Sequence, residues 1–116
     1  MLFRSVFAEM TTRYPCLYGD NSAFNTPFRG RNVPACVGPP LSERMLHGSD
    51  FPVPIYGRWA RMRGFISAED FKKWRNHPNN LERDYQLKLA TGFTEESFTR
   101  VAELMRLSSL QKNRAK

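Results

Sequence analysis

The 116 residues carry eighteen Lys and Arg against eleven Asp and Glu, a formal net charge of +7, with 41% hydrophobic and 13% aromatic side chains. That apolar content excludes disorder over the whole length, and the length allows a single domain, 1–116, near the lower limit at which a chain buries a core unaided. Two cysteines, Cys16 and Cys36, make no disulfide framework and match no zinc spacing, so both read as reduced thiols and the chain as cytoplasmic.

Leu2, Phe3, Val6, Phe7 and Met10 recur at helical spacing, with Arg4, Ser5, Glu9 and Arg13 on the other face. This predicts an amphipathic helix, too short and too charged for a signal peptide or a membrane span. It begins with no cap ahead of it, which implies an upstream segment. Tyr14-Pro15 ends it, because the residue before a proline is pushed out of the α region. Cys16-Leu17-Tyr18-Gly19 then reads as a short buried strand with the polar tip Asp20-Asn21-Ser22. From Asn25 to Pro40 the density of proline and glycine predicts a long loop, with a helical turn around Phe24 to Phe28. Met45-Leu46 reads as a second strand, ending in the polar turn His47-Gly48-Ser49-Asp50-Phe51-Pro52.

Pro52 and Pro54 keep the chain irregular through Gly57, and a brief helix covers Arg58 to Arg63. Ser67, with Asp70 three residues on, forms a capping arrangement for a helix to about Asn76, packed through Phe71 and Trp74 and stopped by Pro78. Asn80 is expected to cap the next helix, where Leu81, Tyr85 and Leu89 share a face and Gly92 closes it. Thr94 caps the last, whose buried face is expected to hold Phe98, Val101, Ala102 and Met105. Gln111 to Lys116 form a basic tail. Helix, strand, loop and strand in that order fit a parallel α/β arrangement with two strands.

Three phrases carry a family resemblance. Arg44-Met45-Leu46-His47-Gly48-Ser49-Asp50-Phe51-Pro52 resembles the last-strand motif of amidohydrolase-related proteins, an apolar run ending in Gly-Ser/Thr-Asp, an aromatic and Pro. Tyr14-Pro15-Cys16-Leu17-Tyr18-Gly19-Asp20-Asn21-Ser22-Ala23 is similar to the strand before it. Asn79 to Lys88, then Gly92-Phe93, resembles the terminal helices of the same group. Together they span about Leu2 to Leu107.

The resemblance implies a partial (β/α)8 barrel, its last two strands with flanking helices, and a helical C-terminal region. It implies Asp50 as catalytic residue and metal ligand: the matching aspartate of the family binds a divalent metal, zinc or manganese, or the water on it, and accepts that water's proton. The reading from the residues alone is a turn aspartate satisfying local backbone donors. His47 alternates away from Asp50 along the strand and reads as packed or at the surface. His77 reads as a helix-end residue and Asp20 as a turn former. Arg58, Trp59 and Arg61 follow Asp50 closely enough to border a pocket.

A working family member carries a His-x-His pair on its first strand, and this chain holds only His47 and His77. A catalytic zinc site needs about three protein ligands. The chain is therefore expected to be part of a metal-dependent hydrolase acting on a small-molecule substrate, inactive alone and with no cofactor of its own. A second reading is a small interaction protein that self-associates through an uncovered apolar face. A third is a basic nucleic-acid-binding module, suggested by Arg58, Arg61 and Arg63 with Trp59, and by Lys72, Lys73 and Arg75 with Trp74. No nucleic-acid-binding motif accompanies those clusters, which fit solvated helix faces better.

Overall fold

Tyr14-Pro15 stops the first helix, α1 (Leu2–Arg13), but the chain does not extend at once. A turn follows, closed by Leu17 N–H donating to the Tyr14 carbonyl at 3.0 Å, so extended backbone starts three residues later than the sequence predicts. The structure, a computed structural model, describes residues 2–106, with side chains from residue 6 onward. Strand β1 is Gly19–Asp20 and pairs in parallel with β2, Met45–Leu46, placing Gly19 opposite Met45 and Asp20 opposite Leu46.

This pair is the whole of the sheet among the described residues, most of which are helical. The expected α/β fold class, a partial (β/α)8 barrel, is corrected accordingly: the protein is mostly helical. Two residues per strand supply too few ladder hydrogen bonds to organise a layer, and the surrounding helices do that instead. The prolines explain part of the difference. In the stretch read as one long loop, α2 (Pro27–Gly30) and α3 (Val33–Cys36) each carry a proline in the first two helical positions. There the missing N–H has no intrahelical partner to lose, and the fixed φ favours the turn. A 3₁₀ turn, Leu41–Arg44, then delivers the chain to β2.

Met45, 1% exposed, anchors the strand pair in a core formed with Phe24, Val33, Cys36, Leu41 and Phe93. Phe24 and Phe93 meet edge to face with centroids 5.7 Å apart, the arrangement their ring quadrupoles favour. A second core gathers Ala60, Ile66 and Leu87 from α4 (Gly57–Met62), the segment after it and α6 (Asn80–Thr91), with Trp59, Phe71 and Trp74 packed around them. Phe65 packs against both cores.

The helix ends follow local chemistry closely. Ser67 Oγ accepts from Asp70 N–H at 3.0 Å and caps α5 (Ala68–Trp74). On α6 the cap is Asn79, not Asn80: its Oδ1 accepts from Leu81 N–H at 3.0 Å and from Glu82 N–H at 3.1 Å. Asn79 is extended while Asn80 is already helical, so only Asn79 can reach the open donors. Gly92 closes the helix in the left-handed conformation at φ 113°, where a side chain would be strained.

Two expected helix faces shift. On α6 Leu81 is 54% exposed, and the buried positions are Asp84, Leu87 and Lys88. On α7 (Glu95–Leu104) Phe98 and Val101 are half-buried while Ala102 and Met105 face solvent. Ser97 is the buried residue there, because α7 docks on β2 with the Ser97 carbonyl accepting from His47 N–H at 3.0 Å. The Gln111–Lys116 tail lies outside the described residues. No described helix is long and apolar enough to cross a membrane.

The cap assignment is open to a direct test. Asn79→Ala should destabilise the chain by about 1 kcal/mol, and Asn80→Ala by less than about 0.5 kcal/mol, in urea unfolding followed by circular dichroism.

Candidate functional site

Parallel pairing puts the C-terminal ends of β1 and β2 side by side, so the tips Asp20-Asn21-Ser22 and His47-Gly48-Ser49-Asp50 lie at the same end of the strand pair. Asn21 joins them. Its N–H donates to the Leu46 carbonyl at 2.9 Å, and its fully buried side chain accepts from Gly48 N–H through Oδ1 at 3.1 Å. The approach is close enough that a Cβ on Gly48 would collide with Ser22 Oγ and come within 3.5 Å of Asp20 Oδ1. A side chain at 48 would therefore force the Ser22 hydroxyl to turn away from its present position.

Beneath the tips lies a buried polar centre. Lys88 from α6 is 0% exposed, and its Nζ donates to Asp84 Oδ2 at 2.7 Å and to the Gly48 carbonyl at 2.6 Å. Asp84 also accepts from Asn25 Nδ2 at 2.8 Å through Oδ1. Burial lowers the Lys88 pKa from its ordinary value, against the opposing pull of the Asp84 carboxylate. Both atoms of the Gly48 peptide pairing are thus held from outside the strand, the N–H by Asn21 and the carbonyl by Lys88.

The carboxylates at the tips differ sharply in their engagement. Asp20 accepts from Ser22 N–H at 2.9 Å and has Arg29 Nη1 at 3.9 Å. Burial pushes its pKa upward, but the Ser22 hydrogen bonds and the Arg29 charge together carry it below the ordinary carboxylate value. Asp50 is exposed and left-handed at φ 57°. Its carbonyl accepts from Val53 N–H at 2.9 Å, but among the described residues its carboxylate makes no hydrogen bond and no ion pair.

His47 turns away from this tip onto Phe98, with centroids 4.4 Å apart. Its Nδ1 is buried without a partner, and burial followed by the Lys88 charge lowers its pKa. His77 sits beside Trp74 with centroids 5.5 Å apart and bonds the Asn79 backbone. Arg58 lines a cleft between helices, Trp59 enters the second core and Arg61 is exposed. Sequence reasoning had singled out Asp50, Asp20 and His47; the structure adds Asn21, Asn25, Asp84 and Lys88. The one available signal for the last two was their i, i+4 spacing, which reads by default as a surface pair.

The described residues do not complete a metal site. No group of three or more His, Cys, Asp and Glu side chains converges among them, and His47 faces an aromatic ring instead of Asp50. What the arrangement offers chemically is one unengaged carboxylate on a backbone tip held firmly from below. No protein-family model matches the chain, and neither a curated protein nor a solved structure shows significant similarity to it.

Lys88→Met would leave Asp84 buried without its counter-charge and the Gly48 carbonyl without its donor. The expected loss is about 3–5 kcal/mol in urea unfolding, and pairing it with Asp84→Leu should recover part of that loss because no charge then stays buried.

Proposed function

We propose that this chain is a portion of a metal-dependent hydrolase of the amidohydrolase-related type, acting on a small-molecule substrate in the cytoplasm. Asp50 is the carboxylate it contributes, as metal ligand or proton acceptor, and the zinc or manganese ligands that complete such a site come from outside these residues. One observation carries the reading. The Asp50 carboxylate stands unengaged in solvent, while Lys88 and Asn21 hold Gly48, two residues before it. A carboxylate serving only the local turn would be expected to accept a backbone N–H, and in this turn it is the Asp50 carbonyl that does so.

By this reading, calorimetric titration of the chain with zinc and with manganese gives no one-to-one complex tighter than about 1 μM. Asp50→Asn shifts the unfolding free energy by less than about 0.5 kcal/mol, since asparagine tolerates the left-handed backbone. A tight complex, or a chain unfolded by Asp50→Asn, would defeat the assignment. Coding sequence immediately 5′ of the chain that runs in frame into a His-x-His strand would support it.

A second reading, an interaction protein that associates with itself, has its own observation. Val6 and Met10 on α1, with Tyr14 just past its end, follow at four-residue spacing and are 49%, 41% and 52% exposed. Such a stripe is the usual form of a helix-docking face. Light scattering that shows mass rising with concentration, and Met10→Asp returning the chain to a monomer, supports this reading; a monomer at every concentration removes it.

A further inference from the structure

Three arginines far apart in the sequence come together in one cleft. Arg58 projects from α4, Arg75 caps the end of α5 and Arg83 rises from α6, and all three line a cavity of about 210 Å³. Tyr56 and Asn76 add polar groups to its wall, and no acidic residue lines it. Among the described residues none of the three guanidinium groups has a carboxylate within ion-pair distance. Arg83 Nη1 donates to the Arg75 carbonyl at 3.3 Å, while its Nε is buried with no hydrogen-bond partner. Arg75 lies over the Phe71 ring, 5.7 Å from the centroid.

Guanidinium groups stay charged at any working pH, so the cleft gathers three positive charges that no described carboxylate neutralises. A buried donor left without an acceptor among the described residues costs free energy until water or a ligand reaches it. We infer that the cleft between α4, α5 and α6 binds a phosphate group, either as free phosphate or as a small phosphomonoester. Planar N–H forks match the oxygens of a phosphate, and the apolar floor of Ile55, Phe71 and Leu87 limits competition from water. A phosphomonoester carries about −1.5 to −2 charges at neutral pH, which suits three cations better than a single carboxylate does. The volume points to a size class: drug-sized ligands fill roughly 300–1,000 Å³, so this cavity matches a phosphate with a few further atoms. The inference does not rest on the hydrolase reading.

The test is calorimetric titration of the whole chain with inorganic phosphate and, separately, with glycerol phosphate, at fixed ionic strength. Acetate serves as the single-charge control. Saturable one-to-one binding is expected for at least one of the two, and whichever binds tighter identifies the source of the group. Arg58→Gln, Arg75→Gln and Arg83→Gln should each weaken binding by roughly tenfold or more. Arg61→Gln removes the same charge from α4 outside the cavity and should leave the affinity unchanged. Circular dichroism checks each variant's fold; if Arg83→Gln misfolds, the exposed Arg58 and Arg75 still decide the matter. The inference is overturned if neither phosphate saturates, if acetate binds as well, or if Arg61→Gln weakens binding as much as the others. Binding seen only with single-stranded RNA, steeply weakened by salt, overturns it too.

Discussion

An ammonium group taken wholly out of water must find its acceptors inside the protein, and the place where Lys88 sits dictates what must surround it. Asp84, one turn earlier on α6, supplies the counter-charge, and the Gly48 carbonyl supplies a second acceptor. Asn25 reaches the same carboxylate from the segment after β1, so three distant stretches of chain are committed to one point. Desolvating two charges costs several kcal/mol each, and such a pair survives only when its geometry satisfies nearly every donor and acceptor. Here that requirement sets where α6 sits against the strand ends.

The brevity of the sheet becomes understandable from this point. Two residues per strand would be a negligible structure if the ladder had to hold itself together. Asn21 extends the pairing by one backbone bond and one side-chain bond, and Lys88 grips the next carbonyl along. Met45 faces inward to one core, while α7 holds His47, the residue after β2, through the Ser97 carbonyl. The strand tips are thus held by side chains and helices, which leaves the Asp50 carboxylate without a local task.

Much of the helical layout was legible because it depends on neighbouring residues. Pro15 as a terminator, Ser67 as a cap and Gly92 as a helix stop act through contacts within a few residues, whereas α5 ends at Trp74, before Pro78 is reached. The two-strand reading was legible only in part: an apolar run cannot announce that a turn at Tyr14–Leu17 will consume half of it. The barrel expectation came with the family resemblance and failed because the described chain holds a single pair of two-residue strands amid helices. The buried face of α6 was illegible for a different reason. Hydrophobic spacing selects Leu81, Tyr85 and Leu89, whereas an internal ion pair places Asp84 and Lys88 inside, and nothing in an i, i+4 charge pair states its depth. The arginine cleft has no local pattern at all, since Arg58, Arg75 and Arg83 belong to three separate helical segments.

The long reach of the contacts at Lys88 bears on how the chain comes into being. Gly48 and Lys88 are separated by 40 positions, and Asn25 and Asp84 by 59. At about 5–20 residues per second, a ribosome that has just made Gly48 needs roughly 2–8 s more to reach Lys88. Throughout that interval the β2 tip lacks its anchor, and Met45 and Phe24 wait for Phe93, still further along, to complete their core. Newly made chains therefore pass through a stage, seconds long, in which apolar surface and strand edges stand open to whatever binds nascent polypeptides.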